Sequence, residues 1–171
     1  MRGDLHTLKR VCEYASVVMF IGEIVFAILL IALAVLGIGS FFSADMSNIL
    51  NDVTYVEKSD SDLVKVCSFL TAVVILVMAF ITVKLVRDTM ESLKKEYTPF
   101  IAENTGRMKT ISLTFLVSSI VLLILLILSQ RAVVFILFAF FGCLLVSVVM
   151  YCVTIVCRYG MLLQKESDET L

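Results

Sequence analysis

The stretch ASVVMFIGEIVFAILLIALAVLGIG, residues 15–39, decides the fold: it holds one charged residue, Glu23, in an otherwise apolar run. About 20 such residues cross the roughly 30 Å hydrocarbon core of a bilayer as a helix. Three more apolar runs follow, at 64–86, 111–128 and 132–157. Backbone N–H and C=O groups in hydrocarbon have no water to bond, so each run must satisfy them internally, as a helix. Composition agrees, with 60% hydrophobic and 17% charged residues and a mean hydropathy of +1.04. Soluble domains are about 45–50% apolar and about 25% charged. The chain therefore reads as all-α, an integral membrane four-helix bundle forming a single domain over residues 1–171. Its helices are expected at about 15–39, 64–97, 99–128 and 132–159. The first run exceeds the roughly 7–15 residues of a signal-peptide core, so it is expected to be retained as a helix.

Charge gives the orientation. Lys and Arg in short loops mark the cytoplasmic side. Arg2, Lys9 and Arg10 precede the first run, Lys84 stands at the inner end of the second, and Arg87, Lys94, Lys95, Arg107 and Lys109 lie between the second and third. Arg158 and Lys165 follow the fourth, leaving only Lys58, Lys65 and Arg131 for the opposite side. Both termini and the middle loop, 87–110, are thus expected to be cytoplasmic. Tyr14, Tyr97, Tyr151 and Tyr159 fall toward the same side, as interface aromatics do.

The connections differ in character. The outer loop 40–63 carries Asp45, Asp52, Glu57, Asp60 and Asp62 and reads as a solvated acidic loop without the spacing of a calcium loop. Ser129–Ala132 is so short that the third and fourth helices must be antiparallel neighbours. The apolar positions Phe80, Ile81, Val83, Leu85, Val86, Met90, Leu93 and Tyr97 carry the second helix beyond the membrane, with Arg87–Glu91 and Glu91–Lys95 spaced to pair. Thr98 before Pro99 reads as an N-cap with proline at the first helical position. Glu103 suits the positive end of that helix, while Gly106 weakens it by about 1 kcal/mol. Gly160 suits a C-cap, and the tail 160–171 is expected to be disordered.

The run TPFIAENTGRMKTI, residues 98–111, resembles a signature of bacterial membrane proteins of the domain-of-unknown-function 2975 family. Those proteins are similar in length, with four helices and a cytoplasmic run close to PFTPEN, then basic and apolar residues leading into the third. Pro99, Phe100, Glu103 and Asn104 match the PFTPEN-like run, and Arg107, Lys109 and Ile111 fit the basic and apolar positions after it. Ile101 stands where the family usually has Thr or Ser, and Ala102 where it often has Pro. If that hydroxyl caps the third helix in the family, the cap here moves to Thr98, Asn104 or Thr105. The resemblance implies topology but no activity. Because family members are often encoded beside small helix-turn-helix regulators, it also implies a regulatory role. On this reading Pro99, Phe100, Glu103, Asn104, Arg107 and Lys109 form a cytoplasmic contact segment.

Glu23 is the chemical anomaly. It lies nine residues beyond Tyr14, roughly 13 Å inward. A carboxylate there is costly and usually faces a bundle interior or a cavity. Counting to the same depth on the other runs brings in Thr82, Ser118, Ser119, Ser147 and Tyr151, with Lys84 able to reach from nearer the interface. These residues are expected to form an intramembrane polar layer around Glu23. Small multidrug transporters also place a glutamate in the first of four helices, so a proton-coupled transporter working as a homo-oligomer through Glu23 is the rival to a regulatory or accessory protein. Cys12, Cys67, Cys143, Cys152 and Cys157 form no C-x-x-C pair, and His6 is the only histidine. No catalytic residue, cofactor or metal is expected. Nor is nucleic acid, for want of a basic tract with interleaved aromatics. The partners expected are membrane lipids, a protein, or further copies of the chain.

Overall fold

The computed structural model describes residues 2–54, 56–57, 60–96, 100–129 and 133–169. They form five helices: α1 (Arg2–Gly39), α2 (Ala44–Val53), α3 (Asp62–Glu96), α4 (Ala102–Ser129) and α5 (Val133–Glu169). Four are long and apolar enough to cross a membrane, over Arg10–Gly39, Asp62–Lys95, Ala102–Leu128 and Leu137–Ser167. These mark a multi-pass membrane protein. Most large side chains on α1 point outward, among them Val18, Ile21, Ile28 and Ile31. Such exposure suits a helix bathed in lipid rather than water.

Four boundaries differ from those read in the sequence. The first helix begins at Arg2 rather than near residue 15, and it meets the extended end of α3 where Glu13 pairs with Lys94. The outer loop 40–63 contains α2. The third helix begins at Ala102 rather than at residue 99, since Phe100 and Ile101 are not helical. Tyr97, Thr98 and Pro99 themselves lie outside the described residues, as do 130–132 of the short outer connection. The Ile101 carbonyl accepts the first backbone bond of α4, from the Thr105 N–H at 3.1 Å, and the Thr105 hydroxyl as well. Finally, α5 runs through Gly160 to Glu169, so Gly160 caps nothing and the tail is helical over its described residues, 160–169.

The spans form a row in chain order. α1 packs on α3, α3 on α4, and α4 most extensively on α5. Among the described residues α1 makes no comparable packing on α4 or α5 and is an edge of the row. The densest point is where α3, α4 and α5 meet. There Leu122 and Cys143 are buried among Val74, Ile75, Met78, Phe115, Leu126 and Ala139. Nearer the start of α4, that helix and α5 exchange a reciprocal pair of bonds. The Ser112 hydroxyl donates to the Ser147 carbonyl at 2.9 Å, and the Ser147 hydroxyl donates to the Ser112 carbonyl at 2.9 Å. Small side chains let the two backbones approach closely enough for this, as is usual between membrane helices.

Ser147→Ala is expected to lower unfolding free energy in detergent by about 0.6–1.7 kcal/mol, the range for interhelical bonds in membranes. Reversible denaturation followed by circular dichroism checks this; an unchanged midpoint would mean that the pair does not hold α4 to α5.

Candidate functional site

α1 and α3 run antiparallel, joined along one seam by polar contacts at successive turns. Lys94 Nζ lies 3.2 Å from Glu13 Oε1, and the Ser16 hydroxyl is 3.5 Å from Glu91 Oε1. Further along, Arg87 donates from Nη1 to Glu23 Oε2. The guanidinium carbon stands 5.6 Å from the centre of the Phe20 ring, a cation–π distance. Asp88 Oδ1 is 3.6 Å from Arg87 Nη2. Both ion-pair side chains are four-fifths enclosed by protein, Glu23 at 18% exposure and Arg87 at 20%. Arg87 Nε has no hydrogen-bond partner, and Glu91 Oε1, at 3.9 Å, is too distant to serve as one.

This corrects the expected polar layer. Glu23 is neither a lone buried acid nor a partner of Lys84; its countercharge is Arg87, and Lys84 is exposed. Thr82 bonds back to the Met78 carbonyl of its own helix at 2.8 Å, and Ser119 to the Leu116 carbonyl at 2.7 Å. Ser118 is buried and lines a groove of about 500 Å³ between α3 and α4. Ser147 pairs with Ser112, and Tyr151 is exposed. Depth is common to these residues; direction is not. A depth count that starts at Val86 leaves Arg87 in water. The apolar face continuing past Arg87 is the signal that α1 continues beside it and brings Glu23 within reach.

A second cluster ties α3, α4 and α5 at the basic end. Arg107 Nη1 donates to the Asp88 carbonyl at 2.8 Å and to Asn104 Oδ1 at 3.1 Å, while Nη2 donates to Glu103 Oε1 at 2.7 Å. One guanidinium thereby fastens the first turn of α4 to α3. Asn104 is fully buried, and its Nδ2 has no hydrogen-bond partner. On the other side, a Cβ at Gly160 would stand 2.4 Å from the Phe100 ring. Glycine is required there because the Phe100 ring packs directly against α5. The Thr105 hydroxyl lies 3.9 Å from Met161 Sδ, a loose contact across the same joint.

The expected contact segment is therefore divided. Asn104 and Arg107 are spent inside the protein, and Phe100 is partly covered by α5. Glu103 and Lys109 face outward, while Pro99 lies outside the described residues. In the sequence Arg107 reads as a surface charge and Gly160 as a helix stop; the contacts that redefine them join residues far apart in the chain.

Compared with models of protein families, with curated proteins and with solved structures, the chain matches none.

Glu23→Gln is expected to destabilise the protein in detergent, since it removes the carboxylate that Arg87 bonds directly and leaves only the more distant Asp88 and Glu91. Breaking a fully buried pair costs roughly 3–5 kcal/mol. The partial exposure of both groups puts the expectation at the lower end, and well above any effect of Thr82→Val. Equal, small effects of the two substitutions would contradict this assignment. Gly160→Val is expected to expel the Phe100 ring and accelerate chymotryptic cleavage between Phe100 and Ile101. Unchanged cleavage would show that the ring does not depend on the glycine.

Proposed function

We propose that the chain is a non-enzymatic accessory or regulatory protein of a bacterial cytoplasmic membrane, with both termini cytoplasmic. On this reading it acts through protein or lipid contacts at its basic end. The observation that carries it is the way polar groups within the spans are used. Glu23 is matched by Arg87, Ser112 by Ser147, and Thr82 and Ser119 by carbonyls of their own helices. Transport through Glu23 needs a carboxylate that can exchange its partner, and a path to it. Glu23 lines neither the groove between α3 and α4 nor the larger groove at the acidic end.

The basic end, in contrast, presents groups suited to contact. Lys109 and Glu103 face outward from α4, and Tyr159, Leu162 and Leu163 are exposed on the last turns of α5. Basic residues at a bilayer surface gain about 1 kcal/mol each from anionic lipid. The clustering of eleven of the fourteen Lys and Arg residues at this end supports its cytoplasmic placement. The resemblance of Phe100, Glu103 and Asn104 to the 2975 family signature fits the same reading.

A photoreactive phenylalanine analogue in place of Lys109 or Leu163 is expected to capture anionic lipid or one defined protein in intact cells. Capture should fall when Arg158 and Lys165 are both replaced by Glu. Capture of neither would overturn the reading. Loss of proton-coupled flux in Glu23→Gln, with folding intact, would favour the transporter.

A further inference from the structure

α2 is built the opposite way round from a helix that covers a soluble protein. Its one buried residue is polar, Asn51, at 8% exposure. Ser47, one turn earlier, is also turned inward and lines the same groove of about 780 Å³ between α2 and the facing ends of α1 and α3. The opposite face carries Met46, Ile49 and Val53, spaced three and four residues apart as one helical stripe; Ile49 and Val53 are half exposed, and Met46, at 36%, also packs against Gly39 at the end of α1. Asp45 and Asp52 flank that stripe and are exposed as well. Leu50 also turns into the groove, but in water the outward stripe would be hydrated while the Asn51 side chain is enclosed.

The link to α1 narrows the environment. Only Ser40–Ser43 separate α2 from the end of a span, so α2 begins within about 18 Å of Gly39. Within that link Phe41 and Phe42 are 88% and 87% exposed, the most exposed large apolar side chains described. The Phe pair and the α2 stripe therefore leave the same membrane boundary together. α2 carries two acidic residues and no basic one, so attraction to anionic headgroups cannot hold it; apolar contact can.

We infer that α2 is an interfacial helix, lying along the membrane surface at the acidic end with Met46, Ile49 and Val53 in the boundary between headgroups and acyl chains. Phe41 and Phe42 enter the same layer. The occupant of the exposed stripe is lipid. The inner face, with Ser47, Leu50 and Asn51, looks onto the groove lined by Val66, Phe69 and Leu70 of α3, and the outward stripe meets lipid. This inference rests on the four long helices spanning a bilayer.

The chain contains no tryptophan, so one introduced residue reports alone. Ile49→Trp, with Ile28→Trp in the middle of α1 as the control, is reconstituted in phosphatidylcholine vesicles at high lipid-to-protein ratio. Ile49→Trp is expected to be quenched more by lipid brominated near the carbonyl end of the chain than by lipid brominated deep in it. Iodide should reach it several-fold less than free tryptophan. Ile28→Trp should show the opposite depth preference. Free access of iodide to Ile49→Trp, with Ile28→Trp still quenched by lipid, would overturn the inference and leave the spans intact. Protection of Ile49→Trp from both quenchers would also overturn it, assigning the stripe to protein, including a second copy of the chain. Failure of brominated lipid to quench Ile28→Trp would bring down the membrane reading itself and the inference with it. Phe41→Trp, an aromatic replacement at an exposed site, repeats the measurement should Ile49→Trp fold poorly.

Discussion

An apolar helix in hydrocarbon gains nothing from the hydrophobic effect by leaving lipid for another apolar helix; packing, hydrogen bonds and ion pairs must hold it. That constraint bears hardest on α1, which among the spans packs appreciably only on α3. Its apolar residues would be equally well solvated by acyl chains anywhere in the membrane. The seam of Glu13 with Lys94, Ser16 with Glu91 and Glu23 with Arg87 is what gives α1 one neighbour and one register. The inner pair matters most, because Glu13 and Lys94 are half exposed and surface pairs contribute little, about 0–1 kcal/mol. A one-turn slip in either direction would part Glu23 from Arg87, setting it near Val83 in one case and near the Glu91 carboxylate in the other, a cost that no repacking of Val and Ile offsets.

The other half of the molecule is held by different means. α4 and α5 are joined by backbone-directed serine bonds and by close packing around Leu122 and Cys143. Cys157 and Met108 continue this contact with a 3.7 Å sulfur–sulfur approach. Arg107 connects this half to α3, and its neighbour Asn104 is enclosed in the same joint. Two arginines thus join the row, Arg87 from α3 toward α1 and Arg107 from α4 toward α3. Both anchor near Asp88, the first through its carboxylate and the second through its backbone carbonyl. The planar fork of arginine suits Arg107, whose two Nη atoms reach three acceptors at once, which a lysine could not reproduce; Arg87 bonds Glu23 through Nη1 and holds Nη2 3.6 Å from Asp88.

The apolar runs make the four spans legible in the sequence, because hydrocarbon thickness and backbone satisfaction leave a chain with Ala15–Gly39 little alternative. The extension of α3 is equally legible from the spacing of Met90 and Leu93. Less legible are features set by which way a side chain faces. Glu23 is visible as costly, but its partner is hidden because Arg87 follows an apolar run and reads as a boundary charge. α2 is obscured by the acidic residues around it: Asp45 and Asp52 dominate a loop whose apolar stripe, Met46, Ile49 and Val53, becomes evident once helical spacing is imposed. Gly160 reads as a stop because glycine so often ends helices; here it continues one and accommodates Phe100. Tyr151 is only one turn from Ser147, yet it is exposed while Ser147 is enclosed against α4.

The most direct test of the seam is an exchange of its two charges. Glu23→Arg and Arg87→Glu are each expected to destabilise the protein strongly, since each sets like charges against each other in a partly enclosed site. Combining them restores the pair with its sense reversed. Denaturation midpoints in one detergent, for the parent, both single variants and the double variant, form a complete cycle. The account predicts that the double variant recovers most of what the single variants lose. Additive losses in the double variant would contradict it and leave α1 without its principal tie to α3.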